Sequence, residues 1–439
     1  MDMPQTTIGI LGSGQLGRML VIAAAQLGIK THIFAPDADS SPAGEIADAT
    51  TTAGYDDYAS LTAFAAMIDV VTSEFENVPS ETLAHLAQFC PVSPGTMALH
   101  IAQHRVREKT FARRHGIDTP DFWHITDATS LHQAMAELQG RGVLKTCQLG
   151  YDGKGQIWID SADDLDSSFA ALDSDDAILE AAIDFDAEAS FLVARSADGR
   201  IAHFPASLNT HKNGILARSL APAQIGKHLL ASGQRAVQTL AEEMGLIGLL
   251  ALETFITKDG ALLFNEIAPR PHNSFHWTIE GCATSQFTQL ARCLAGMPLG
   301  STHSYGQWQM DNLLGEDMQR LDQLAAEAAL HLHLYGKDTA KTGRKMGHTN
   351  RQISGRRTKT LSDLWVDFGQ IERGCLIQII DPVADQQKRK RPPVIDWRLP
   401  GIIIRKIIFR HNGRQTCCNI PMIFIGQCRR IIFEMIENK

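Results

Sequence analysis

No Cys-x-x-Cys pair occurs among the eight cysteines of this 439-residue chain. The spacing therefore announces neither a zinc framework nor a disulfide scaffold, and a reducing cytoplasm is the expected setting. No run approaches the roughly 18 apolar residues that a membrane span needs. The best attempt, Ile402 to Phe409, is interrupted by Arg405 and Lys406. The polar start MDMPQTT lacks the apolar segment of a secretory signal. Internal repeats and long low-complexity tracts are also missing. What remains is a 44% apolar, 21% charged composition, which suits a soluble globular enzyme of about two to four domains.

Charge is unevenly spread. Residues 353–439 carry 16 Lys+Arg against 8 Asp+Glu, leaving 25 against 41 for the first 352. Cys375, Cys417, Cys418 and Cys428 also fall in this stretch. The reversal predicts a boundary near residue 352 and a tail dispensable for ATP binding. Its basic run, Gln386 to Pro393, reads as a solvated segment rather than a nucleic-acid patch.

The strand Ile8–Leu11 runs into Gly12-Ser13-Gly14-Gln15-Leu16-Gly17, then a helix, then a strand closing at Asp37. This is a nucleotide-type βαβ unit whose glycines let backbone N–H groups approach an anion. A dinucleotide, a substrate phosphate or plain packing would each suit the turn. Ile68 to Thr72 delivers Glu74 and Glu76 to a strand end, where ligands bind in such sheets; an acidic helix start would look the same. Pro94-Gly95 opens a helix predicted to reach about His115. On it, Arg105 and Lys109 share a face and read in isolation as solvated cations. Lys145 lies on the strand Val143–Cys147. The loop Gly150-Tyr151-Asp152-Gly153-Lys154-Gly155-Gln156 follows, either a phosphate cradle or a flexible hairpin. Asn209 and His211 read as a polar turn. His331 and His333 read as the solvated face of a strand, and Gly343 to His348 as a basic turn.

Lys258-Asp259-Gly260-Ala261, between apolar runs, signals a hairpin with a two-residue Asp-Gly turn. That register sets Glu253 opposite Glu266. Facing carboxylates destabilise a sheet unless something offsets them, and Mg²⁺ prefers such oxygen ligands. Arg270, His272, Asn273 and His276 follow in what reads as an anion-gripping loop.

In one order, GSGQLGRML, SEFENV, GYDGKGQ, NEIAPRPHNS, HLHLYGK and GRKMGH resemble the ATP-grasp superfamily. Over about residues 6 to 352 they closely resemble its N5-carboxyaminoimidazole ribonucleotide synthetases of purine biosynthesis. The resemblance implies an α/β and α+β fold: an N-terminal βαβ (pre-ATP-grasp) domain at 1–95, an ATP-grasp domain at 96–296 and a small C-terminal domain at 297–352. It implies a carbon–nitrogen ligase that turns ATP, bicarbonate and 5-aminoimidazole ribonucleotide into the N5-carboxy product, ADP and phosphate. By the same resemblance, Arg105, Lys145, Gly150 to Gln156, Glu180, Ile183 and Glu188 hold ATP. Glu253 and Glu266, with Asn265 nearby, hold Mg²⁺. Arg270, His272 and Asn273 seat bicarbonate, and Asp152 accepts a proton. Gln15, Leu16, Glu74, Tyr151, Lys337, Arg344 and Lys345 contact the ribonucleotide. A homodimer is implied, with no nucleic-acid or membrane partner.

Three departures stand out. Phe275 replaces the family's glycine after Asn273-Ser274, which predicts a strained or displaced loop and weakened bicarbonate use. Leu208 stands where relatives often carry a polar residue near the nucleotide, and the tail is atypical. They leave open an inactive relative serving as a binding subunit. A formate-using glycinamide ribonucleotide transformylase and a dinucleotide-dependent oxidoreductase are the other rivals.

Overall fold

The structure is a computed structural model that describes residues 6–138, 140–148, 155–160 and 164–354, together with three strands beyond them. By internal contacts the chain divides after Gly355. In the second unit the strands Leu376–Ile379, Ile407–His411 and Arg414–Cys418 pair as one antiparallel sheet. The basic run at 386–393 lies outside the described residues.

The first unit opens with a parallel sheet ordered Ala49–Thr52, Lys30–Ala35, Thr7–Leu11, Val70–Ser73, Val92–Ser93. The helix Gln15–Gln26 crosses it, burying Leu16, Met19, Leu20 and Val21. Gly14 caps this helix without a side chain. Its N–H is instead taken by Glu74 Oε1 at 2.7 Å. Gly12 makes that approach possible. Its φ is +105°, and a Cβ there would sit 2.7 Å from the same carboxylate oxygen.

A four-stranded antiparallel sheet follows, ordered Phe122–Ile125, Ala177–Ala181, Gly142–Thr146, Gln156–Ile159. A larger sheet runs Leu262–Ala268, Gly248–Thr257, Phe185–Arg195, Ser207–Lys212, Ile215–Ala221, Gln307–Leu314, Lys345–Ser354, Leu330–Leu334, with Ile201–His203 beside the third. The last three strands continue the same sheet, because Arg218–Ala221 pairs with Trp308–Asp311. Helix Lys227–Glu243 covers one face through Leu229, Val237 and Leu240. Against the other face, the core runs from Ile10 and Leu20 to Leu249, Trp277 and Phe287, tying the parallel sheet to the large one.

Several local expectations are corrected. The helix after Gly95 breaks into Thr96–Ala102 and Arg105–Arg114. Gln103 donates to Glu76 O and Val78 O, both at 2.8 Å, and His104 is extended. Asn209 and His211 lie in a strand, and the turn beyond them is Asn213-Gly214. Both turn residues have positive φ, as the commonest two-residue hairpin requires. His333 is not a solvated face: it contacts Glu280 at 2.8 Å and stacks on His348. His331 is exposed as expected, and so is Leu334 on the opposite side.

Candidate active site

Glu253 does pair with Glu266, though by another route than a two-residue turn. Thr257 N–H donates to Ala261 O, so the loop holds three residues, Lys258 to Gly260. That moves the register by one. A bulge at Asn265 then restores it, since Thr254 pairs with Phe264 while Glu253 pairs with Glu266. The bulge is pinned from outside the hairpin. Lys109 Nζ donates to Asn265 O at 2.7 Å, and Ile267 N–H donates to Glu108 Oε2 at 3.1 Å. A bulge beside a functional centre re-aims side chains; here it sends both glutamates into a cavity of about 1230 Å³.

Cations and anions alternate along the cavity wall. Arg105 Nη1 lies 3.3 Å from Glu266 Oε2. Lys145 Nζ donates to Glu180 Oε2 at 2.9 Å, while Lys109 Nζ stands 3.5 Å from Glu180 Oε1. Lys109 was expected to be solvated, but its side chain is fully buried. Burial pushes the Glu180 carboxyl up, yet Lys109, Lys145 and Arg105 outweigh it and hold it down to about 2. The two hairpin glutamates are driven apart. Burial and the Glu266 charge push Glu253 up to about 7. Glu266 is lowered, because Arg105, Lys145 and Lys109 overcome its own desolvation. With 41% of its side chain open to the cavity, Glu266 is also partly relieved by water. His272 Nε2 stands 3.4 Å from Glu253 Oε1, and burial beside Arg270 keeps the ring neutral.

The opposite end of the cavity is closed by the parallel sheet. Arg270 forks onto Glu76 Oε2 through Nε at 3.2 Å and Nη2 at 2.6 Å. Asn273 and Asn312 exchange amide hydrogen bonds at 2.9 and 2.6 Å. Lys337 Nζ donates to Lys345 O at 2.7 Å. The wall brings together Gln15, Leu16, Glu74, Arg105, Lys145, Gln156, Glu180, Ile183, Glu188, Glu253, Asn265, Glu266, Arg270, His272, Asn273, Lys337, Arg344 and Lys345. Gly155, with φ +66°, packs on Thr146 at the loop's end and is not part of that wall. Gly150, Tyr151, Asp152, Gly153 and Lys154 lie outside the described residues. Sequence reasoning missed Glu108, Lys109, the His211–Glu188 hydrogen bond and the rings of Phe185 and Phe255, stacked at 4.8 Å on the cavity wall.

Phe275 overturns the expectation of strain. Among the described residues, positive φ at non-glycine positions is confined to Asp173 and Asn213. Phe275 ends a 3₁₀ turn, Asn273–Phe275, and its ring is fully buried in the core that joins the two sheets. Leu208 is half-buried and packs against the core that includes Leu229, Val237 and Leu240 of helix Lys227–Glu243. Phe275→Ala should therefore cost about 3–5 kcal/mol of stability, the range for truncating a buried phenylalanine. Urea unfolding measures it, and a loss below about 1 kcal/mol would contradict this packing.

Three family models match in chain order: a ribonucleotide synthetase preATP-grasp domain over 5–103, an ATP-grasp domain over 110–287 and a phosphoribosylaminoimidazole carboxylase C-terminal domain over 309–355. The N5-carboxyaminoimidazole ribonucleotide synthase of Brucella melitensis is 44% identical over 79% of this chain and 96% of its own. That of Bacillus subtilis is 39% identical over 84% and 98%. A crystal structure of an ADP complex of N5-carboxyaminoimidazole ribonucleotide synthetase superposes with a TM-score of 0.77 at 39% identity, covering 80% of this chain and 93% of the other. The Aspergillus clavatus synthase, solved with ADP and 5-aminoimidazole ribonucleotide, superposes with a TM-score of 0.75 at 27% identity, covering 83% and 99%.

Proposed function

The chain belongs to the N5-carboxyaminoimidazole ribonucleotide synthase family of ATP-grasp ligases, and from that premise we propose how its own residues carry out the ATP-dependent carboxylation of 5-aminoimidazole ribonucleotide. Bicarbonate oxygen attacks the γ-phosphorus of ATP, the bond to the β–γ bridging oxygen breaks, and carboxyphosphate and ADP result. The carboxyl group then passes to the ribonucleotide amine and phosphate leaves. The observation that carries this reading is the facing pair Glu253–Glu266, set among Arg105, Lys145 and Arg270 on one cavity wall.

Phe185 and Phe255 offer the adenine an apolar wall, and Lys145 and Arg105 meet the phosphates. Charge builds on the phosphoryl oxygens as the bond breaks, and fixed cations in a water-poor site stabilise it most. Arg270, Asn273 and neutral His272 present donors to bicarbonate. Gln15, Leu16, Glu74, Lys337, Arg344 and Lys345 face the ribonucleotide, with Gly14 N–H holding Glu74 in place. By the family resemblance Asp152, which lies outside the described residues, serves as proton acceptor, and excluding water keeps carboxyphosphate from hydrolysis. ADP release requiring both the ribonucleotide and bicarbonate, with formate inert in place of bicarbonate, tests the assignment. ADP formed equally well with formate would overturn it. We also propose a cytoplasmic homodimer, which sedimentation at twice the chain mass tests.

Mg²⁺ fits Glu253 and Glu266. Two carboxylates face each other, and burial together with the Glu266 charge pushes Glu253 up, a conflict that a dication relieves. Bound there, Mg²⁺ would neutralise phosphate charge. Glu253 must lose its proton to ligate, so metal affinity follows pH. Mn²⁺, titrated into the nucleotide-free protein and followed by electron paramagnetic resonance, should bind about tenfold tighter per pH unit below about 6.5 and level off above about 7.5. Constant affinity from pH 6 to 8 would exclude Glu253 as a titrating ligand. Stability runs the other way. The raised Glu253 pKa favours the fold at low pH, and that contribution is lost as pH climbs from the ordinary carboxyl range through about 7.

A further inference from the structure

A second cluster of metal-ligating side chains reaches the cavity wall at Cys147. His104 precedes the helix Arg105–Arg114, His124 sits in the strand Phe122–Ile125, Cys147 follows the strand Gly142–Thr146 and Asp176 precedes Ala177–Ala181. One ligand atom from each falls within 4.8 Å of all the others. Asp176 already draws in both rings, His124 Nε2 at 2.8 Å from Oδ1 and His104 Nε2 at 3.1 Å from Oδ2. Backbone bonds hold the segments together: Cys147 N–H donates to Asp176 O at 2.9 Å, and Arg105 N–H donates to Cys147 O at 3.0 Å.

From this geometry we infer a binding site for a borderline-soft divalent cation of the Zn²⁺ class, with His104, His124, Cys147 and Asp176 as ligands. Two imidazoles, a thiolate and a carboxylate make a familiar tetrahedral zinc set. Their two negative charges balance one dication. Mg²⁺ is a poor match, since it takes oxygen ligands. His104 Nδ1 is buried with no hydrogen-bond partner, so an ion taken by this ring displaces its Nε2 contact with Asp176 and no bond at Nδ1. Burial pulls the His104 pKa down, which keeps the ring neutral and able to ligate. Burial and Asp176 push the Cys147 thiol up, so the ion must displace its proton. The competing reading is a metal-free hydrogen-bond cluster centred on Asp176, and the two differ in whether Cys147 ligates. Cys147 lies three residues before the loop 150–156, and Arg105 directly follows His104. A bound ion would tie the stem of the glycine loop to the helix that carries Arg105. This inference rests on the cluster alone and stands apart from the proposed reaction.

The test uses the full chain, reduced with a non-thiol reductant, and Co²⁺ as the probe. One Co²⁺ per chain should bind, with a thiolate-to-cobalt absorption band in the near ultraviolet and the strong visible bands of a four-coordinate ion. Equimolar Zn²⁺ should bleach both, and excess Mg²⁺ should bleach neither. Cys147→Ser should abolish the near-ultraviolet band, and His124→Ala should weaken Co²⁺ binding at least about tenfold. The His124 side chain is 46% exposed, so its removal opens no core; an unchanged metal-free unfolding midpoint verifies that. A double variant, Cys417→Ser with Cys418→Ser, should keep the band. Absence of the band from the unmodified chain would overturn the site. So would its survival in Cys147→Ser, or its loss in the tail double variant.

Discussion

Glu266→Gln is expected to slow ADP release by about 100-fold or more at saturating substrates, a loss at least as large as that from removing groups around a metal ligand. The substitution keeps the side-chain volume and deletes the charge. It removes one of two facing carboxylates and leaves Arg105 with a neutral partner at 3.3 Å. Stability should change by less than about 1 kcal/mol, because that ion pair is partly open to solvent. Removing the repulsion should also let Glu253 titrate nearer the ordinary carboxyl range. Steady-state ADP release and urea unfolding separate the two effects. A turnover within threefold of the unmodified protein would sink the metal assignment; a collapse in stability would make Glu266 structural.

Lys109→Met should destabilise the fold by about 3–5 kcal/mol, the cost of stripping one partner from a buried charge. The ammonium is fully buried, donates to Asn265 O at 2.7 Å and stands 3.5 Å from Glu180 Oε1. Methionine fills the space but leaves Glu180 to Lys145 and Arg105 and unpins the bulge at Asn265. ADP release should fall as well, because the bulge sets Glu266 opposite Glu253. Arg141→Met is the control. Its ion pair with Asp160 is exposed on both sides, so about 1 kcal/mol or less is expected. Equal losses in the two variants would mean that the buried lysine holds nothing in particular.

Some of this was readable in advance, and the reasons differ. The glycine turn was legible because its three glycines stand together between a strand and a helix; Glu74, which they admit, lies 60 residues beyond Gly14 and was not. The Glu253–Glu266 pairing came out right through two offsets that cancel: a three-residue loop where two residues were read, and a bulge at Asn265 that no turn rule shows. Lys109 was not legible, since RVREKTFARR looks like a solvated helix. Its partners Asn265 and Glu180 come from two different sheets. Phe275 misled for a related reason. A family glycine suggested a special φ, whereas this backbone turns there with an ordinary one and the ring serves the core. The cluster of His104, His124, Cys147 and Asp176 spans 72 residues, so no spacing motif could mark it.

The central claim is that bicarbonate attacks the γ-phosphate of ATP at this cavity and then hands its carbon to the ribonucleotide amine. Turnover with bicarbonate labelled in oxygen with ¹⁸O tests it most directly, with the inorganic phosphate product read by mass spectrometry. One bicarbonate oxygen should remain on each phosphate released, because it bridges carbon and phosphorus in carboxyphosphate. Phosphate carrying only oxygen from ATP and water, while the carboxylated ribonucleotide still forms, would contradict the account.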